Sequence, residues 1–306
     1  MSEIVFHHYK ESPYAEKIRA LLGYKNVAWR SVQVPRIAPK PNLTALTGGY
    51  RKVPVLQLGA DIYCDTRLIA QEIERLAPAP AATSQSGHFN DIVEHWVDVS
   101  LFAKAVAFTF GNNVDYLPDE LLADRAALRG APLDRAALKA AVPMAEQDLA
   151  QQIAWIEQGL TGPHDFVNGC TPGTGDFTLY STLWFAKNGR FDFARFTATS
   201  AWMKRMQTFG HGDRIDMSEQ AALDLAAANE PAPLQTMDEQ PDASGLRLGQ
   251  VVEVSPEQLG CGTSVLGQLA ALSRQRLTLK LHSEPCGTVH VHFPRQGYRL
   301  TSRDHP

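Results

Sequence analysis

The chain is poor in cysteine: Cys64, Cys170, Cys261 and Cys286 are the only four in 306 residues, and no two form a CxxC pair. That spacing argues against a disulfide framework and against the common zinc and dithiol motifs, and each thiol reads as a small buried hydrophobe of a reducing compartment. Long apolar runs are missing too. The stretch Leu101 to Phe110 is short and carries Lys104, far from the roughly 20 apolar residues that cross a bilayer. Met1 to Tyr9 moves straight into a strand-like run, without the basic segment, apolar stretch and small-residue cleavage site of a secretory leader. The expected location is cytoplasmic. An excess of one charge is also lacking, since 29 basic residues lie interspersed with 33 acidic ones for a formal charge of -4. Neither a nucleic acid nor an anionic membrane surface is an expected partner.

Hydrophobic residues make up 44% of the chain, which at this length suffices for two or three cores. Ile4-Val5-Phe6 opens a strand, and from Pro13 the apolar residues Tyr14, Ile18, Leu21 and Leu22 recur at helical spacing. A second strand over Ala28 to Val34, a Pro-rich loop, a hairpin from Val53 through Tyr63 and a helix from Asp65 to Pro78 follow. The order βαβ, loop, ββα is that of a thioredoxin-like half-domain, placed at 1–80. Helical periodicity then dominates 86–228, with runs over Phe89 to Phe110, Leu117 to Arg129, Asp134 to Gly159, Phe177 to Lys187, Thr199 to Phe209 and Ser218 to Ala228. Residues 229–244, with Pro231, Pro233 and Pro241 among acidic and small polar residues, read as a linker. Over 245–306 the period drops to two, with Leu277, Leu279 and Leu281, then Val289, Val291 and Phe293, alternating with polar residues. The expected fold is therefore α/β plus all-α: a thioredoxin-like N-terminal domain, an all-helical domain, and an additional small all-β domain. That last domain is too small for a sturdy core of its own and is expected to pack against the helical domain.

Ser12-Pro13 places a hydroxyl at a helix N-cap and a proline at its first position, both favoured where the first amides lack partners. The same geometry aims free N–H groups and the positive helix end at whatever lies before Ser12, where a thiolate would be stabilised. Val53-Pro54 sits just before a strand, where a cis bond would relieve the misfit of a proline beside a ladder. Asp65-Thr66 opens the next helix with an acceptor and a hydroxyl beside free amides, suited to an amino acid's ammonium and carboxylate.

Together these residues resemble the glutathione transferase superfamily over residues 1 to about 228. The resemblance implies that Ser12 stands where serine-type classes keep their catalytic Ser and the omega-type class its Cys. It further implies that Val53 and Pro54 form the cis-proline step facing the cysteinyl backbone of glutathione, that Asp65 and Thr66 hold its γ-glutamyl end, and that Lys40 is a loop lysine contacting it. Tyr9 ends the first strand where other classes keep a catalytic tyrosine, so Ser12 and Tyr9 are both candidate sulfur donors. Pro172 to Phe177 resembles the capping segment of the family's second domain, with Gly173 in place of the usual Ser or Thr. The lack of Cys at positions 12 and 15 argues against thiol–disulfide exchange by the protein itself.

The function implied is a glutathione transferase-like enzyme: glutathione, a co-substrate whose thiol is ordinarily mostly protonated at neutral pH, is activated as thiolate for attack on a small electrophile. Phe102, Phe108 and Phe110 are candidate linings for an apolar electrophile cleft. A homodimer is the family expectation. Two alternatives stand beside this: a non-catalytic scaffold acting through protein contacts, and a glutathione-dependent isomerase or dehalogenase. His7 and His8 should alternate inward and outward on a strand. His282, His290 and His292 read as a polar outer face of the C-terminal sheet, and no metal is expected. The stretch Val291 to Arg295 resembles a tail of some bacterial transferase-like proteins, to which no activity attaches.

Overall fold

In the computed structural model, which describes residues 3–82, 89–167, 169–234, 242–257 and 264–303, the first seven elements are β1 (Val5–His8), α1 (Pro13–Tyr24), β2 (Ala28–Gln33), α2 (Pro41–Thr47), β3 (Val55–Leu58), β4 (Asp61–Cys64) and α3 (Thr66–Leu76). β1 runs parallel to β2 and antiparallel to β3, which is antiparallel to β4. This is the thioredoxin-like arrangement. Both faces of β1 are covered: Phe6 packs into the large core with α1 and α3, and Val5 into a smaller one on the other side. His7 and His8 are therefore both buried, not one in and one out. His7 bonds Gln57 at 2.8 Å, while His8 bonds Ser31 and accepts from Arg19, each at 3.0 Å.

The helical part comprises α4 (Phe89–Trp96), a π-helical widening over Val97–Leu101, α5 (Phe102–Asn113), α6 (Asp119–Arg129), α7 (Arg135–Ala140), α8 (Val142–Leu160), α9 (Thr174–Asn188) and α10 (Thr197–Gln207). The periodic run Asp134 to Gly159 is two helices, divided beside Pro143, which lacks the amide a continuing helix needs. At the start of α9, Gly173 has no side chain with which to cap. A Cβ there would fall 2.2 Å from the Asn90 carboxamide oxygen, which instead accepts from the Gly175 amide at 3.1 Å. Asn90 of α4 supplies the cap in trans, and Asp176 accepts from Gly173, Val167 and Trp202.

After α10 come β5 (Asp213–Met217), α11 (Glu219–Ala227), β6 (Val251–Pro256), β7 (Val265–Leu272), β8 (Arg276–Ser283), β9 (Gly287–Pro294) and β10 (Tyr298–Ser302). β5 escapes the sequence pattern because nearly all of it is exposed and it is held by backbone pairing to β2. The C-terminal strands are not a separate body: from the 86–228 run they meet α11, whose Leu223 and Ala226 join their core. They continue the thioredoxin-like sheet, giving ten strands in the order β10-β6-β7-β8-β9-β4-β3-β1-β2-β5. β9 pairs in parallel with β4 and so covers what would be an open edge. Leu43, Leu46, Val55 and Ile62 share one core with Val252, Leu279, Val291 and Phe293, which removes the need for an independent core in so short a segment.

Side chains clasp the same seam. His292 is buried, bonds Asp61 at 2.9 Å and Thr278 at 2.9 Å, and stacks on Tyr63. The face expected to be outer is thus internal at His292 and partly covered at His290, a consequence of the β4 pairing that alternation alone does not reveal, while His282 on the same face is exposed. Burial lowers the basicity of His292 despite the Asp61 carboxylate. Cys64 and Cys286 are buried as expected, Cys170 is exposed, and Cys261 and the linker centre 235–241 lie outside the described residues.

Candidate functional site

The register assembles the site. Val55 pairs with His7 on β1 and with Cys64 on β4. Chain continued past that end of the sheet brings together Tyr9 and Ser12 after β1, Val53-Pro54 before β3, and Asp65 after β4. α1 and α3 both begin there, and Lys17 links them by bonding Thr66 at 3.4 Å and pairing with Glu94 of α4 at 3.0 Å.

Ser12 caps α1: its Oγ accepts from the Ala15 amide at 3.2 Å, which leaves its own proton unengaged among the described residues. The Val53-Pro54 bond is cis. Asp65 caps α3 with Oδ1 accepting from the Arg67 amide at 2.9 Å, and it does so at φ 80°, a backbone region that side chains other than glycine rarely adopt.

Lys40 lies just before α2 and is 5% exposed, with its Nζ 5.4 Å from the centre of the Tyr9 ring. Among the described residues it forms no ion pair or hydrogen bond. Burial, then the nearby Arg125 and Arg51, pull it down to about 8. Arg51 and Arg125 both pair with Asp124, so three cations meet one carboxylate at this end of the site. The Tyr9 hydroxyl accepts from Arg125 at 3.2 Å. Arg51, Arg125 and Asp124 were not among the residues the sequence singled out, and α6 gives no local sign that it reaches the loop before α2.

The opposite end is acidic. Asp98, in the π-helical segment, is held up at about 6, first by burial and then by Glu94 and Asp65 against the pull of Lys17 and Arg67. Its presence there depends on the helical widening, a feature that often accompanies functional positions. The three phenylalanines divide: Phe108 is in the core, Phe102 packs at a tilt against Tyr14 with ring centroids 4.7 Å apart, and Phe110 lines a cleft of about 620 Å³. That cleft runs from Lys10 and Glu11, beside Ser12 though not including it, to Phe110, Trp184 and Phe185. One wall of it is polar, where Glu16 pairs with Arg19 and hydrogen-bonds His211.

Residues 6–81 match the family model for the glutathione S-transferase N-terminal domain. A GST-like protein from Pseudomonas syringae, of known crystal structure, is 36% identical, with 99% of this chain and 100% of that chain covered at a TM-score of 0.81. The chain belongs to the glutathione transferase superfamily. FzlA from C. crescentus shares 20% identity over 67% of this chain and 88% of its own, at a TM-score of 0.54. The theta class glutathione S-transferase from Xanthomonas axonopodis pv. citri, solved with glutathione bound, shares 16% over 69% and 97%, at 0.50. These two are likenesses of fold. No curated protein sequence matches the chain. Within the superfamily the chain has a transferase-like function in general terms, and no helix among its described residues is long and apolar enough to cross a membrane.

Proposed function

We propose that this protein is a glutathione transferase that binds glutathione in one fixed sense along the groove. The glycine carboxylate lies at Lys40, the cysteinyl backbone along Val53 before cis-Pro54, and the γ-glutamyl group at Asp65 and Thr66. The observation that carries this reading is Lys40, a buried cation that forms no ion pair or hydrogen bond among the described residues, set at one end of a groove whose other end is acidic. A peptide with a carboxylate at one end and an ammonium at the other satisfies both.

In this orientation the sulfur meets the start of α1. The Ser12 hydroxyl, already held by the Ala15 amide, donates a hydrogen bond to the thiolate, and the helix start adds positive potential. Tyr9 walls the same space with its hydroxyl against Arg125 and its ring against Lys40, whereas Ser12 stands at the start of α1, so the sulfur is assigned to Ser12 and the placing of Lys40 to Tyr9. The small electrophile enters the cleft lined by Phe110 and Trp184, where the thiolate, its proton already passed to water, forms the new carbon–sulfur bond as the electrophile's leaving group departs with the electron pair of the bond it breaks. A homodimer fits the exposed Phe89, Ile92 and Val99 along α4 and its continuation.

Glutathione titration followed by thiolate difference absorbance tests this. Wild type should give a saturable thiolate signal, and Ser12→Ala should lose that signal and about 10²-fold in kcat/KM with an assay electrophile, the scale of losing one donor to a developing anion. An unchanged signal in Ser12→Ala would overturn the assignment.

A further inference from the structure

The last strand reaches into this site. Tyr298 on β10 is 4% exposed, and its hydroxyl lies 3.2 Å from Asp65 Oδ2 and 3.4 Å from the Tyr50 hydroxyl. A phenol has one proton, and the carboxylate is both the nearer and the stronger acceptor, so Tyr298 donates to Asp65. Beside it, Arg67 in the first turn of α3 bonds Gln296 in the turn between β9 and β10 at 3.0 Å. The C-terminal strands therefore contact the start of α3 twice, at the residue expected to take the γ-glutamyl end.

We propose that Tyr298 is a positioning residue for glutathione recognition, through which the C-terminal sheet extension forms part of the γ-glutamyl subsite. This rests on the glutathione reading above. Asp65 holds a disfavoured backbone conformation, and such conformations persist only where the surroundings fix them. Each of its two oxygens has its own partner: Oδ1 accepts from the Arg67 amide within the helix and Oδ2 from Tyr298 of the extension. The remaining lone pairs are then aimed at an incoming ammonium. Without the phenol only the helix cap orients the carboxylate, and it can rotate about its own Cα–Cβ bond away from the ligand.

The role is in binding and not in the chemistry, because the sulfur lies at the start of α1. Tyr298→Phe removes one oxygen and leaves the ring packed on Phe293. It should raise the KM and the dissociation constant for glutathione by about 5- to 10-fold, less than the loss of a direct bond to a charged group because the phenol acts through Asp65, with kcat at saturation nearly unchanged. Cysteinylglycine, which lacks the γ-glutamyl group, should bind wild type and Tyr298→Phe alike. Leu300→Ala is the control for loosening β10: it lowers the melting temperature without changing the KM for glutathione.

Saturable binding by wild type with an unchanged KM in Tyr298→Phe would overturn the proposal and leave the glutathione reading intact. So would an equal loss in Tyr298→Phe and Leu300→Ala, which would make the effect one of general loosening. If folded wild type binds no glutathione, the underlying reading fails and takes this one with it.

Discussion

Replacing Lys40 by methionine should strengthen the unliganded protein and weaken its hold on glutathione, two effects of opposite sign from one side chain. Burial and two neighbouring arginines pull Lys40 from 10.5 to about 8. Each pH unit between those values corresponds to about 1.4 kcal/mol, so at pH 7 the charged amine opposes folding by on the order of 3 kcal/mol. Methionine keeps most of the aliphatic stem but forfeits the contact with the Tyr9 ring, worth about 0.5–1 kcal/mol. The net expectation is a gain of about 2 kcal/mol in stability, or a few degrees in melting temperature. Because the folded form loses its proton first, wild-type stability rises relative to Lys40→Met as pH goes from 8 towards 10.5, and the gap closes. With glutathione present, loss of a charge-assisted bond of about 1.5–3 kcal/mol should raise the dissociation constant by on the order of 10- to 100-fold. Urea denaturation at pH 7 and pH 10, paired with calorimetric titration of glutathione, measures both. A destabilised variant that binds glutathione normally would refute the reasoning.

Further outcomes follow from the same physics. Asp98 is held at about 6 by burial and acidic neighbours, so it is increasingly protonated as pH falls below that value. Glutathione affinity should weaken by about 3- to 10-fold from pH 7 to pH 5, and Asp98→Asn should flatten that profile in fluorescence titrations. His7 and His8 are held down at about 4 and about 3 by burial, so the unfolded chain takes up their protons first as pH drops below 6.5. Each should withdraw on the order of 2–3 kcal/mol of stability by pH 4, and a His7→Gln variant should lose less of its urea midpoint between pH 7.5 and 4.5 than wild type does.

Sequence signals were strongest where chemistry is local. Ser12-Pro13 and Asp65-Thr66 announce helix starts because capping needs only the residues beside the cap, and the β period of 277–293 is set by adjacent side chains. What the pattern could not supply was the partner of each surface. Nothing in the alternation of β9 says that its edge pairs with β4, nor that His292 turns inward to Asp61. β5 is nearly all exposed and so lacks the apolar signature on which strand recognition depends. Lys40 stood out for its likeness to a family position, while the features that give it electrostatic force, its burial beside Arg51 and Arg125, come from segments 11 and 85 residues further along the chain. Asp98 depends on a helical widening that helical periodicity does not mark.

The central claim is the orientation of glutathione in the groove, and a structure of the protein with glutathione bound tests it most directly. The account predicts the sulfur within hydrogen-bond reach of Ser12 Oγ, the glycine carboxylate on Lys40 and the γ-glutamyl ammonium at Asp65. Glutathione bound in the reverse sense, or away from the start of α1, would contradict it.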